Sequence, residues 1–586
     1  MSEPIIWKSP EQPNASFNDA IRIVDDAWNE LRRTPYVQSR LSGGACDIPD
    51  LSFEEANRRA QVGRGLLTRL DSLDCDTLPH TLALTLRLVR FRARTWSREA
   101  EWYWLVADPR GIGQFGLFLP TAYCGGYILN IALQKLRSFE FQQKADADRF
   151  LSVVLDFERL IHQFTERTSG QAKRGIRMPK VQVRQARALL ASFKTEAVTT
   201  LTILPGQLGT AQSQPFMREL KQIRTHHIES AFDLAIAQLN DQYLEFAPET
   251  VGIGQYAGGA DVYAELVKQH TTLELSPEEV HARGNDRMAQ IERSILDIQE
   301  ELGFSNNRDA FLEHLDRDPA WRASTVENIT AMFDRIIKRL QPRLQAAFST
   351  MPKAPYGVIP LPEALQASMT YGYYDAPRAD RAQGFYVFNA ANLARRPLFH
   401  LPAVTFHELM PGHHLQFCTQ LESEALHPFS TYSFVNAYME GWAEYAATLA
   451  GEMGLYERPE ERYGRLVMDA FLTSRLVVDT GMNVLGWPLE RARAYMRVHS
   501  RLVEAEIQTE SVRYACDTPA QALAYKLGDT ALLEMRDSMR GALGARFTLR
   551  EFHDAVLAPG AVPLSDLQWH LERTTERLQR GQGKRQ

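Results

Sequence analysis

Apolar residues spaced for helices, and almost nowhere for strands, limit this chain more than any other feature. In "SFNDAIRIVDDAWNELRR", Phe17, Ile21, Ile23, Val24 and Trp28 fall near one stripe while acidic residues occupy the rest. The same period recurs in "DRFLSVVLDFERLIHQF", "VENITAMFDRIIKRLQPRL" and "GRLVMDAFLTSRLVV". "LSPEEVHARGNDRMAQIERSILDIQEEL" opens with a capping box, with Ser276 as N-cap, Pro277 in the first turn and Glu279 three residues on. Strand-like alternation is confined to short pieces near "YGVIPL" and "GFYVFNAA", which predict a small sheet beside the histidine segment described below. No period repeats and no low-complexity linker divides the chain. The expectation is one large, mainly α domain over residues 1–586. An N-terminal helical lobe over 1–250 and a second lobe over 251–575 would face each other across a cleft.

With 586 residues, 44% hydrophobic and 24% charged, there is ample material for a large core. The net charge of -6 is spread along the chain without a basic stripe, which argues against nucleic acid as a partner. "GIGQFG" and "GIGQYAGG" read as loops, since a phosphate cradle needs a preceding strand or a Gly-Lys-Ser/Thr ending. The start, "MSEPIIWKSPEQPNASF", has no secretory pattern, and no apolar run is long enough to span a bilayer. The basic tail "RLQRGQGKRQ" reads as a frayed terminus. Cys46, Cys75, Cys124, Cys418 and Cys516 are scattered and odd in number, which argues against a disulfide framework or a thiolate metal site. These features point to a soluble cytoplasmic protein with no membrane partner. They leave the oligomeric state open.

The chemistry concentrates in "VTFHELMPGHHLQF" (404–417). A water-activating zinc site needs three protein ligands, an open position and a carboxylate beside the water. His407 and Glu408 suit the first ligand and the base. A zincin helix would place its second histidine four residues on, where this chain has Pro411. Pro411 has no N–H and Gly412 permits unusual dihedrals, so the helix must kink or bulge here. On an undistorted helix, residue 413 lies about 120° off the face of 407. Residue 414 returns to that face but roughly 10 Å along the axis. A two-residue bulge would restore the phase for His413 and a three-residue excursion for His414. The smaller distortion favours His413, with His414 as the alternative ligand. Downstream, "NAYMEGWAEYAATLAGEMG" offers Glu440 and Glu444 on one helical face. Glu440 fits the third ligand, as in gluzincin metallopeptidases, and Glu444 an outer-sphere partner. Three histidines in eight residues around a helix break make coincidence a weak rival.

The chain resembles the bacterial domain-of-unknown-function 885 family, whose hallmark stands complete at His407, Glu408, Pro411, Gly412, His413 and His414. Matching stretches include "YAGGADVYAELVKQHTTLELSPEEVHARG", "QGFYVFNAANL", "MEGWAEYAATLAGEMG", "RLVVDTGMNVLGW", "RYACDTPAQALAYKLG" and "FTLREFHDAVLAPGAVPLSDL". The resemblance implies a mostly α-helical fold related to gluzincins, with the substrate unassigned. One departure is Asn483, where the family pattern has a histidine; asparagine hydrogen-bonds but carries no proton charge.

The expected activity is a peptidase or amide hydrolase with one Zn2+ ion, acting on peptides or peptide-like small substrates. Glu408 serves as general base. Tyr525 is the first candidate for the oxyanion donor, ahead of Tyr514, Tyr371, Tyr373 and Tyr374. Arg513 could pair with a substrate carboxylate, although an ion pair with an acidic neighbour is its more ordinary role. Tyr514 and Tyr373 complete the substrate-binding candidates. Two rival classes use the same residues: a metalloenzyme tailoring a small metabolite, and an inactive binding protein, against which the intact Glu408 speaks.

Overall fold

A computed structural model describes residues 15–43, 46–74, 78–202, 214–305, 307–362, 366, 371–391, 393 and 397–581. Cys75 and the end of the basic tail lie outside the described residues. Helices account for 70% of the structure, as the apolar spacing predicts, and the only sheet among the described residues has three strands. Strand β1 (Tyr356–Pro360) pairs in parallel with β3 (Gly384–Phe388), and β2 (Gly372–Asp375) pairs antiparallel to β3 from its other side. β1 and β3 are the two pieces that sequence alternation marks. β2, in "YGYYDAP", escapes it because its four residues are too few to show a period.

The helix Pro277–Glu301 begins as its sequence dictates. The Ser276 hydroxyl accepts from Glu279 N–H at 3.2 Å, and the Glu279 carboxylate accepts from Ser276 N–H at 2.7 Å. Its apolar face packs on Pro459–Asn483, a helix buried around nearly its whole circumference. Such all-round burial identifies an internal strut. The helices Leu401–Glu408, Leu489–His499 and Ala524–Leu543 pack on the same strut. One hydrophobic core joins residues 17–96 of the chain to residues 321–571, so it crosses position 250. A second core lies mainly within residues 48–280 and takes in Leu476, Leu523 and Leu527.

The helix Asn436–Glu452, which carries Glu440, crosses Ala524–Leu543, which carries Tyr525, at a pair of glycines. A Cβ at Gly528 would stand 2.2 Å from the Ala437 carbonyl oxygen, and one at Gly441 would stand 2.6 Å from Gly528 Cα. The backbones therefore touch, and no side chain fits between them. Gly528→Ala is expected to destabilise by about 1–3 kcal/mol through overpacking. Gly541→Ala, on the same helix with nothing within 4 Å of its Cβ position, should be neutral or stabilising by up to about 1 kcal/mol. Thermal melts of the two variants check this; equal melting temperatures would refute the close crossing.

Candidate metal centre

The helix Leu401–Glu408 stops where the sequence forces it to. Leu409 leaves the helical region at φ -103°, ψ -115°, and the chain turns through Met410, Pro411 and Gly412. A new helix, His413–Leu421, then begins. Gly412 is pressed against the end of the first helix: a Cβ there would lie 1.9 Å from the His407 carbonyl oxygen and 2.4 Å from that of Phe406. Only glycine permits that approach. The His414 N–H donates to the Leu409 carbonyl at 3.1 Å, and the Trp442 indole N–H donates to that of Pro411 at 2.9 Å. The expectation of a single helix with a two-residue bulge is thus corrected to two helices joined by a tight four-residue turn. Without the proline N–H the first helix cannot continue, and the carbonyls it leaves are closed over by the turn itself.

The turn brings His413, and not His414, back to His407. The two imidazoles meet edge to face with centroids 4.8 Å apart. Glu440 Oε2 lies 3.3 Å from His413 Nε2 and 3.7 Å from His407 Nε2. One ligand atom from each of the three residues falls within 4.8 Å of the others. Glu444, one turn after Glu440, sets its Oε1 2.8 Å from His407 Nδ1. Accepting the Nδ1–H there leaves the Nε2 lone pair aimed at Glu440 and His413. The other Glu444 oxygen meets Arg465 at 3.0 Å. Lys526 approaches it at 4.0 Å and binds Asp469 at 2.8 Å and Asp529 as well. Arg287 closes the far end on Asp469 at 2.6 Å.

These groups carry an excess of negative charge. Glu408, Glu440, Glu444, Asp469 and Asp529 face two buried cations, Arg465 and Lys526. Burial works against a charged His407, but Glu440 and Glu444 override it and raise its pKa to about 10. Glu444 is held near 2 by Arg465, His407 and Lys526 despite burial, and Glu440 is pushed down by the two histidines. Burial raises Glu408. Glu408 Oε2 and Glu440 Oε2 are buried with no hydrogen-bond partner. Two imidazole nitrogens, one carboxylate, orphaned carboxylate oxygens and an acid-rich surrounding together fit a divalent cation, and this donor set suits zinc.

The other sequence candidates separate cleanly. His414 turns away: its Nε2–H donates to the Ala354 carbonyl at 3.0 Å, and its Nδ1 lies 2.8 Å from the Tyr374 hydroxyl. Burial lowers its pKa to about 4, so it stays neutral and ties the sheet to the second helix. Gly384 on β3 makes room, since a Cβ there would meet the Tyr374 hydroxyl at 2.2 Å. Tyr525 lies beside the cluster, its ring parallel to His407 with centroids 6.2 Å apart. Tyr514 is fully buried, and its hydroxyl is engaged by Arg475 and Glu510. Arg513 pairs with Gln521 at 2.8 Å and reaches Glu510 at 3.6 Å. Tyr373 is 40% exposed on β2, and no contact links it to the cluster. Sequence reasoning passed over Arg465, Asp469, Arg475 and Lys526. Their signal was charge at helical spacing inside "ERYGRLVMDAFLTSRLVV" and "YKLGD", where an otherwise apolar pattern predicts burial.

Residues 37–571 match the model of a family described as bacterial protein of unknown function (DUF885). No curated protein matches the chain. Among solved structures, one titled "The crystal structure of the putative lipoprotein from Colwellia psychrerythraea" superposes with a TM-score of 0.82 at 23% identity, covering 96% of this chain and 99% of that one. Another, titled as a "putative lipoprotein of unknown function from Shewanella oneidensis", superposes with a TM-score of 0.71 at 16% identity, covering 95% and 99%. At these identities the likeness is one of fold.

Asn483, the departure from the family pattern, has a structural post. Its side-chain amide donates to the Asp479 carboxylate and carbonyl and to the Tyr514 carbonyl, each at 3.0 Å. Its own oxygen accepts from Ile253 N–H at 3.0 Å. The Asp479 carboxylate also takes the Tyr263 hydroxyl at 2.7 Å and Ala520 N–H at 3.1 Å, while Oδ2 has no partner. Burial raises the Asp479 pKa from 3.8 to about 7. A folded pKa above the unfolded one means stability is full below about pH 3.8 and is lost as pH rises through about 7. Asp479→Asn should remove that loss, so denaturant melts across this range should be flatter than for wild type. An unchanged slope would show that Asp479 ionises freely in the fold.

Proposed function

The chain belongs to the DUF885 family of bacterial proteins, and we propose that it is a zinc-dependent hydrolase of peptides or peptide-like amides. The observation that carries this reading is the convergence of His407, His413 and Glu440 with Glu408 immediately beside His407. When bound, a zinc ion supplies a Lewis acid and lowers the pKa of its water. Glu408 takes the water's proton and passes it to the leaving amine. Its burial in an acidic cluster raises its proton affinity, which suits a group that must both accept and release a proton. Glu444 holds His407 in the tautomer that keeps Nε2 free, and Arg465 with Lys526 holds Glu444. Tyr525 offers its phenol O–H beside His407 to the oxyanion of the tetrahedral intermediate.

Metal analysis of purified protein together with a mixed-peptide digest read by mass spectrometry tests the proposal. Wild type should carry one zinc per chain and cleave. Glu408→Gln should keep the zinc and lose about 10²–10⁴-fold in rate. His407→Ala and Glu440→Ala should lose zinc, and stoichiometric metal in either variant would overturn the ligand set.

The described cysteines Cys46, Cys124, Cys418 and Cys516 are buried and unpaired, as in a reducing compartment. No helix among the described residues is long and apolar enough to cross a membrane. We propose a cytoplasmic location, supported by the unpaired cysteines alone, against the lipoprotein wording of the two solved structures. Fractionation of native cells should recover it with soluble cytoplasmic markers, and recovery with the membrane or the periplasm would reverse the placement.

A further inference from the structure

Near Tyr525 stand two arginines that share one carboxylate. Arg475 is 4% exposed. Its Nε–H donates to the Tyr514 hydroxyl at 2.7 Å and its Nη2 reaches Glu510 at 3.3 Å, while its buried Nη1 has no partner. Arg513 contacts the other Glu510 oxygen at 3.6 Å and Gln521 at 2.8 Å, and its buried Nε has no partner. Glu510 is the one acid that contacts both guanidinium groups, and Asp479 and Asp517 act on Arg513 from farther off. Asp517, the next acid along the chain, is engaged elsewhere, by the Thr121 hydroxyl and by Tyr123 N–H at 2.8 Å. A buried cation without its full set of acceptors is costly, and a fold that keeps two side by side has a use for them.

Their position gives the use. The Arg475 guanidinium lies 4.8 Å from the Tyr525 ring centroid, and that ring lies 6.2 Å from His407, so the guanidinium is within about 11 Å of the His407 ring. An extended peptide advances about 3.3–3.6 Å per residue. A carboxylate one or two residues beyond a carbonyl bound at the metal centre therefore falls within reach of the arginine pair. The π-helical turn Arg513–Asp517 packs against a second π-helical turn, Ala122–Gly126, and the Arg513 guanidinium rests 4.5 Å from the Tyr123 ring. Such turns are rare and re-aim the side chains that leave them.

We infer that the site selects peptides by their free C-terminal carboxylate, held by Arg475 and Arg513 one or two residues past the bond to be cut, so that the enzyme trims C-termini. This rests on the hydrolase reading for the cut and on the arginine pair for the selection. A carboxylate supplies the planar pair of acceptors that a guanidinium fork requires, for which Arg475 Nη1 and Arg513 Nε stand unpartnered. An internal segment of a longer chain brings one only where an Asp or Glu side chain falls at that place.

The selection can be measured without catalysis. N-acetyl-Ala-Ala with a free carboxylate and the same dipeptide as its C-terminal amide are titrated calorimetrically into metal-free wild type, Arg513→Ala and Arg513→Lys. The acid should bind wild type at least tenfold more tightly than the amide. Arg513→Ala should erase that preference, and Arg513→Lys, which keeps the charge and loses the fork, should retain only part of it. Equal binding of acid and amide by wild type, absence of binding by both, or a preference unchanged in Arg513→Ala would each overturn the inference. Cleavage of amidated peptides by wild type would also overturn it while leaving the hydrolase reading intact. A carboxylate preference in a protein that cuts no peptide would have the opposite effect.

Discussion

The hydrogen bond from the Trp442 indole to the Pro411 carbonyl fastens the helix break to the helix that carries Glu440 and Glu444. Trp442 is fully buried against Phe348, Tyr445 and His553, so it cannot yield without opening the core. Around that bond the chain between Glu408 and His413 has little freedom. Gly412 lies against the carbonyls of Phe406 and His407, and His414 N–H closes on Leu409. The angle between the two short helices, and with it the approach of His413 to His407, follows from this turn. The Gly441–Gly528 crossing then sets how near the Tyr525 helix can stand. Backbone contact at glycine thus determines the spacing of the side chains of the candidate site.

The cluster is organised as alternating charge running inward to outward. His407 leans on Glu444, Glu444 on Arg465 and Lys526, Lys526 on Asp469 and Asp529, and Asp469 on the half-exposed Arg287. Opposite charges alternate along this series, and carboxylate oxygens with no donor stand at its inner end, on Glu408 and Glu440, and on Asp529. Buried ion pairs seldom raise stability by themselves, because desolvation offsets attraction. Their worth here is geometric, since a chain of charges pinned at both ends holds one imidazole in one tautomer and one orientation.

Residue spacing made much of this legible. The helix signal held throughout, because apolar stripes at a period of 3.6 have few other homes, and the Ser276 capping box formed as written. The choice of His413 over His414 was readable from phase, since the smaller detour restores register. The form of the detour was not. Phase says where a residue must return, whereas a turn that closes on carbonyl oxygens depends on contacts that spacing does not encode. The arginines and Lys526 were hidden for a related reason. A charged residue on a helix is ordinarily solvated, and only the strut's burial on all sides shows that these are not. Asn483, the departure from the family motif, shows what spacing alone does not give, which is the set of partners a polar side chain holds. All its polar atoms are spent on holding the 252–255 loop and the Tyr514 carbonyl to the strut.

Tyr525 is the point at which the two charge systems meet. Near its ring lie the candidate metal cluster, rich in carboxylates, and a guanidinium pair that shares one carboxylate. A tyrosine is suited to that boundary, because its ring faces a cation while its hydroxyl can donate to a developing oxyanion. The arrangement also orients whatever enters. A peptide lying in reverse would direct its positively charged amino end at Arg475 and Arg513, a repulsive contact in a setting of low dielectric, where like charges a few ångströms apart cost far more than in water. Direction of binding is therefore built into the charge pattern before any side-chain pocket is considered. On the proposed reading, a substrate of this site would be sorted first by which of its ends is negative and only afterwards by its residues.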